Sequence, residues 1–197
     1  MPLPSVSGSP FTFVGLSAVT TGIDRANHST SSSCVFGRIG TTLARRLSGF
    51  DVELGYFDLA ARADSPHRHF DSLTALADWC EVLIVTLAGG AGTQGAVNAE
   101  VLRALGPQGW LVNVSRGSTV HEPALLDALE QRLIAGAALD VFWNEPRIDA
   151  RFLALDNVVL QPHHASGTVE TRRAMGQLVR DNLAAHFAGR RLLTPVV

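Results

Sequence analysis

Three short stretches carry an arginine, carboxylates and a histidine at intervals: N-V-S-R-G at 113–117, L-D-V-F-W-N-E-P at 139–146 and L-Q-P-H-H-A-S-G at 160–167. An arginine such as Arg116 grips a carboxylate or a polarised carbonyl oxygen through two parallel N–H donors. A histidine such as His163, held by a carboxylate such as Glu145, delivers a proton near neutral pH. Together these groups suit reduction of a 2-oxo acid. Each has a plainer explanation when taken singly. A lone arginine after a strand is commonly a salt-bridge partner, and Asn-Glu-Pro commonly makes a turn.

A fourth stretch lies upstream. V-F-G-R-I-G at 35–40 has the second and third glycines of a dinucleotide-binding turn, Gly37 and Gly40, with Val35 where the first would stand. The second glycine lets backbone approach a pyrophosphate, and the third lets the following helix pack on its sheet. Asp58, 18 residues beyond Gly40, is spaced to accept hydrogen bonds from an adenosine ribose. The combination predicts dinucleotide binding; the plainer reading is an ordinary strand-to-helix turn followed by a surface Asp. Val35 is β-branched and stiff, and a tight turn would disfavour it.

The elements that must position these residues are legible from periodicity. Helices are expected at Ile39–Leu47, Ser72–Trp79 (capped by Asp71 or Ser72), after Asn98, after Pro123, and from about Thr168 to Phe187. The apolar stripes are Val101, Leu102 and Leu105 in the third, Leu125, Leu126, Leu129 and Leu133 in the fourth, and Met175, Leu178, Val179 and Leu183 in the last. Strands are expected at Val52–Phe57, Glu81–Leu87, Trp110–Val114, Gly136–Val141 and Asn157–Leu160, with a weak first strand before Gly37. Alternating strands and helices imply an α/β fold: a doubly wound parallel sheet forming one Rossmann-type domain over residues 34–189. Residues 1–33, rich in Ser, Thr, Gly and Pro, are expected to form an irregular extension, and 190–197 a C-terminal tail.

Composition narrows the chemistry. The 197 residues suit one domain, and 46% hydrophobic residues supply a core. A net charge of −2 without runs of like charge argues against nucleic acid or an anionic membrane as partner. All 16 basic residues are arginine. The absence of lysine excludes a P-loop, a pyridoxal Schiff base and a kinase-type ATP site. Cys34 and Cys80 share no metal-ligand spacing and read as small buried thiols of a reducing compartment. No secretory signal is evident, and the apolar run Val82–Ala88 is too short to span a bilayer, so a cytoplasmic protein is expected.

From about Val35 to its C-terminus the chain resembles the D-isomer-specific 2-hydroxyacid dehydrogenases, and within them the glyoxylate/hydroxypyruvate reductase group. The resemblance rests on F-G-R-I-G, N-V-S-R-G-S-T-V-H-E-P-A-L, I-A-G-A-A-L-D-V-F-W-N-E-P and L-D-N-V-V-L-Q-P-H-H-A-S-G-T-V-E-T-R-R, in that order and spacing. It implies that Arg116 binds substrate, that His163 protonates the carbonyl oxygen, and that Glu145 pairs with His163. It further implies that Gly37, Arg38, Ile39 and Gly40 form the pyrophosphate turn and that Asp140 holds the nicotinamide carboxamide. Leu87, Thr93, Val114 and Ser115 would line the cofactor cleft. No metal site is expected, since adjacent side chains such as His163 and His164 seldom converge on one ion. Asp58 would repel a 2′-phosphate, which favours NAD over NADP, although Arg62 lies close in sequence.

The same resemblance marks departures. Ala88 stands where the family commonly has proline, and Ser31–Ser33 replace apolar residues of a central strand. The family's preceding substrate lobe is not expected from 33 residues, and Ala185–Val197 resembles the segment that returns to it. The expectation is therefore a truncated NAD(P)-dependent oxidoreductase acting on 2-oxo and 2-hydroxy acids such as glyoxylate or hydroxypyruvate. By resemblance it would form a homodimer through the cofactor domain. The alternative is a non-catalytic NAD-binding or dimerising remnant.

Overall fold

The computed structural model describes residues 31–35 and 37–195. Seven strands form one sheet: β1 (Ser31–Val35), β2 (Glu53–Phe57), β3 (Arg68–Phe70), β4 (Val82–Val85), β5 (Trp110–Asn113), β6 (Gly136–Leu139) and β7 (Val158–Leu160). Among the described residues, five α-helices accompany them: α1 (Arg38–Leu47), α2 (Leu73–Trp79), α3 (Ala99–Leu105), α4 (Glu122–Glu130) and α5 (Val169–Phe187). The spatial order is β3-β2-β1-β4-β5-β6-β7, and every pairing is parallel. This is the Rossmann-type α/β arrangement. Strand order reverses between β1 and β4, which opens a crevice at the carboxyl ends of the strands.

Local chemistry sets the boundaries. Ser72 caps α2 by accepting from the Ala75 amide, and Asn98 caps α3 by accepting from the amides of Glu100 and Val101. Gly106 closes α3 at φ +73°, where a side chain would be strained. Strand β4 has three of its four residues buried, which suits a strand covered on both faces. Leu83, Val85, Leu111, Leu125, Leu129, Ile134 and Ala137 lie fully inside the main core. A smaller cluster of Ala44, Leu54 and Tyr56 seats α1 on the sheet.

Several expectations require correction. Ser31–Ser33 belong to the central strand β1, paired on both sides with β2 and β4, rather than to an irregular extension. Residues 1–30, where the rest of that extension was expected, lie outside the described residues, as do 196 and 197 of the expected tail. Val35 ends β1 in register with Phe57, so the missing first glycine falls on strand backbone, where β-branched residues are at home. Helix α4 stops at Glu130. Arg132 then adopts φ +54°, and Leu133 leaves the apolar stripe with 39% exposure.

The chain divides into two compact units, the first ending at Pro162 and the second spanning His163–Val197. Helix α5 forms most of the second unit. Its Met175, Leu178, Val179 and Leu183 are 39–59% exposed rather than buried. Among the described residues, no helix is long and apolar enough to cross a membrane. Cys80 is buried as expected; the Cys34 side chain lies outside what is described.

Candidate functional site

Parallel strands place every segment that follows a strand at one edge of the sheet. After β1, Gly37 caps α1 through its carbonyl, which accepts from the Thr41 amide at 3.0 Å. Among the described residues, no side chain caps this helix, and a Cβ on Gly37 would meet nothing within 4 Å. The first-turn amides of Arg38, Ile39 and Gly40 thus belong to an N-terminus with an open approach, which favours an anion. Arg38 and Ile39 are exposed, whereas Gly40 is buried in the helix.

After β2, Asp58 is half-buried, and its carboxylate accepts from the Leu59 amide at 2.8 Å. Two contacts fix its surroundings. The Asp58 carbonyl lies 3.1 Å from Nε2 of His69 on β3, and the buried Tyr56 hydroxyl accepts from the Arg62 amide at 2.7 Å. The Arg62 guanidinium is paired with Asp64 at 3.4 Å. Strand β3, which sequence reasoning missed, therefore helps to hold Asp58.

After β4, Leu87 is half-buried against the core. Thr93 turns its hydroxyl onto the Ala88 carbonyl at 2.6 Å, which closes the 88–93 loop. Gly89 in that loop lies under the Arg116 stem: a Cβ there would come within 2.8 Å of Arg116 Cγ.

After β5, Asn113 organises the turn that carries Arg116. Its side chain is almost fully buried. Oδ1 accepts from the Ser115 amide at 3.1 Å and from the Ser115 hydroxyl at 2.8 Å, while Nδ2 donates to the Arg116 carbonyl at 3.1 Å. The Thr119 hydroxyl donates to the same carbonyl at 2.7 Å. Val114 is half-buried, and its amide bonds the Val85 carbonyl at 3.3 Å. Ser115 was expected to line the cleft, but its hydroxyl faces this internal network. The Arg116 side chain is exposed, with Nη1 donating to the Ser115 carbonyl at 2.6 Å.

After β6, Asp140 is buried, and its amide bonds the Asn113 carbonyl at 3.0 Å. Glu145 is exposed, with Oε1 accepting from the Phe142 amide at 2.8 Å. The Arg116 turn and the Glu145 loop touch through backbone. A Cβ on Gly117 would lie 2.1 Å from the Phe142 carbonyl carbon and oxygen.

The structure thus gathers Arg116, Asp140 and Glu145 at one edge of the sheet-bearing unit. His163 is the first residue of the second unit, where it is exposed at φ +52°. Histidine tolerates the left-handed region better than most residues, and such conformations concentrate at functional sites. Next to it, the ring of His164 occupies the space that a Cβ on Gly167 would need, with Cδ2 and Nε2 both at 2.5 Å. Sequence reasoning missed Asn113, Gly117, Thr119 and Glu122 as supports. Their positions within N-V-S-R-G-S-T-V-H-E-P were the available signal.

Residues 20–165 match the family model described as D-isomer specific 2-hydroxyacid dehydrogenase, NAD binding domain. The chain is 51% identical to a 2-ketogluconate reductase of Gluconobacter oxydans over 162 residues, 82% of this chain and 52% of that protein. It is 44% identical to a hydroxyphenylpyruvate reductase of Plectranthus scutellarioides, over 82% of this chain and 51% of that one. Among solved structures it superposes on an NADPH-dependent glyoxylate/hydroxypyruvate reductase of Sinorhizobium meliloti in complex with NADP and malonate. The TM-score is 0.84 at 46% identity, covering 87% of this chain and 54% of that one. A 2-hydroxyacid dehydrogenase of Ketogulonicigenium vulgare gives a TM-score of 0.82 at 50% identity, covering 89% of this chain and 56% of that one. The chain spans about half the length of the curated relatives it matches.

Proposed function

The chain belongs to the D-isomer specific 2-hydroxyacid dehydrogenase family, and from that premise we propose that it serves the NAD(P)-dependent reduction of a small 2-oxo acid to the 2-hydroxy acid. The observation that carries this reading is the assembly of Arg116, Asp140 and Glu145 on the segments that follow β5 and β6, at the edge where α1 opens its N-terminus. Glyoxylate and hydroxypyruvate are the first substrates to try, by analogy with the Sinorhizobium protein.

The residues present fit a dinucleotide. The uncapped start of α1, clear above Gly37, would receive the pyrophosphate, and the half-buried Asp58 carboxylate would accept from a ribose hydroxyl. Asp140 would hold the carboxamide, beside Leu87, Thr93 and Val114. When bound, the nicotinamide supplies hydride to the carbonyl carbon. Arg116 grips the substrate carboxylate and polarises the carbonyl. By the family resemblance, His163 is the proposed proton donor to the developing alkoxide and Glu145 the carboxylate proposed to partner it.

NAD is proposed over NADP. Asp58 would repel a 2′-phosphate, and Arg62, the neighbouring cation, already faces Asp64. The Sinorhizobium relative is NADPH-dependent, so the preference needs direct measurement. Calorimetric titration with NADH and NADPH should show tighter NADH binding in the wild type and a narrowed or reversed preference in Asp58→Ser. Tighter NADPH binding by the wild type would overturn it. A homodimer through the cofactor domain and a cytoplasmic setting complete the proposal, supported by the family resemblance; sedimentation velocity tests the first. Coupled NADH oxidation with glyoxylate tests turnover. Cofactor binding with no turnover on any 2-oxo acid would favour a non-catalytic NAD-binding module.

A further inference from the structure

The glutamate that opens α4 does something the proposed reaction does not yet use. Glu122 is 7% exposed, an uncommon setting for a carboxylate unless it has firm hydrogen-bond donors. Its Oε2 accepts from the backbone amide of Trp143 at 2.9 Å. The neighbouring amide, that of Phe142, donates to Oε1 of Glu145 at 2.8 Å. Two successive amides of one loop are thus divided between two glutamates, one buried and one exposed. Rotation of the peptide between Phe142 and Trp143 would break the bond to Glu122, and rotation of the peptide before it would break the bond to Glu145.

The same loop is held at two further points along the segment 117–122. The Trp143 indole donates to the Val120 carbonyl at 2.7 Å, and its ring meets His121 edge-on at 5.5 Å. Gly117 lets the Phe142 carbonyl approach so closely that a Cβ would overlap it. The Glu122 carboxylate also sits at a helix N-terminus, where the dipole favours negative charge. Burial together with a hydrogen bond from a loop amide marks the group as a tether rather than a surface charge.

We infer that Glu122 is a positioning residue: by holding the Trp143 amide, it fixes the loop that presents Glu145 at the orientation its role requires. The inference rests on the proposed role of Glu145, but its structural half can be tested alone. The experiment uses the full chain as wild type, Glu122→Ala, Glu122→Asp and Glu122→Gln. Amide hydrogen exchange is read at Phe142 and Trp143, NADH affinity by calorimetry, and kcat and KM from glyoxylate reduction.

Glu122→Ala should speed exchange at both amides by about tenfold or more while leaving the sheet amides protected, as expected for a lost local hydrogen bond. NADH affinity and KM for NADH should stay within about twofold and kcat should fall about tenfold, the pattern of a lost transition-state contact. Glu122→Gln retains an acceptor oxygen of the same reach and should restore most of the protection and of kcat. Glu122→Asp keeps the charge on a shorter arm and should behave like the alanine variant, which covers the case in which Glu122→Ala does not fold. Unchanged exchange at Phe142 and Trp143 in the alanine and aspartate variants would overturn the inference. So would acceleration spread over the whole sheet, or a glutamine variant as damaged as alanine. If the wild type reduces no 2-oxo acid, the functional reading fails while the exchange data still decide whether Glu122 holds the loop.

Discussion

Asn113 shows how much one side chain can organise. Its side chain makes three hydrogen bonds to the turn bearing Arg116, and it is 1% exposed. Asn113→Ala would strand the Ser115 amide and remove one of three donors on the Arg116 carbonyl. Leaving a buried polar group unpaired costs about 1–3 kcal/mol. Thermal unfolding should therefore show a clear drop in Tm, roughly 2–4 °C per kcal/mol for a chain of this size. Arg116-dependent turnover should fall with it. A Tm within a degree or so of wild type would mean the network does not hold the turn. At this scale the sequence was readable where a residue type announces its setting, as with the buried thiol Cys80. It was opaque where the type is ambiguous. Nothing in the sequence marks Glu122 as buried or Ser115 as turned into an internal network, because burial depends on which segment packs above.

Elements meet at Gly117, and there the constraint is backbone on backbone. The short helical turn Gly117–Thr119 presses on the loop after β6 so closely that a methyl group would overlap the Phe142 carbonyl. A flexible side chain could yield to such a contact, but the Phe142–Trp143 peptide, whose amide is held by Glu122, must move as a whole. Gly117→Ala is therefore expected to cost about 2 kcal/mol or more, at the upper end of overpacking substitutions. It should also lower turnover more than NADH binding, since the displaced loop carries Glu145. Comparing Tm, NADH affinity and kcat for this variant checks both parts. An alanine variant with wild-type Tm would show that the loop can retreat freely. Element boundaries followed the same logic of local against distant information. Caps at Ser72 and Asn98 and the stop at Gly106 are written in neighbouring residues, and these were legible. Strand β3 has only three residues and pairs with β2 alone, so no periodicity could reveal it. The serines of β1 hide a central strand because its place is set by the partners on both sides.

For the molecule as a whole, acid stability should reflect two glutamates on α4 that act in opposite directions. Burial raises the Glu122 carboxyl above its ordinary range, against the Trp143 amide and with help from the negative charge of Asp149. A group whose proton affinity is higher in the folded state favours folding while protonated. That contribution is lost as pH rises from the ordinary glutamate value through the raised one. Glu130 is lowered, chiefly by its hydrogen bonds from Arg151, which also grips Asp127 at 2.8 Å. Its contribution is present above the ordinary glutamate value and disappears as pH falls through the lowered one. Glu122→Gln should thus gain stability relative to wild type as pH climbs through the upper window, with the difference narrowing in acid. Glu130→Gln should lose stability relative to wild type above the ordinary value, with the difference closing below the lowered one. Because Glu130 is exposed, solvent screening should make its effect the smaller of the two. Tm measured against pH for the three proteins provides the test. Parallel curves would show that neither carboxylate changes its proton affinity on folding. A crossing between the two variants would place the tether at Glu122 in the interior, where the proposed positioning of Glu145 requires it.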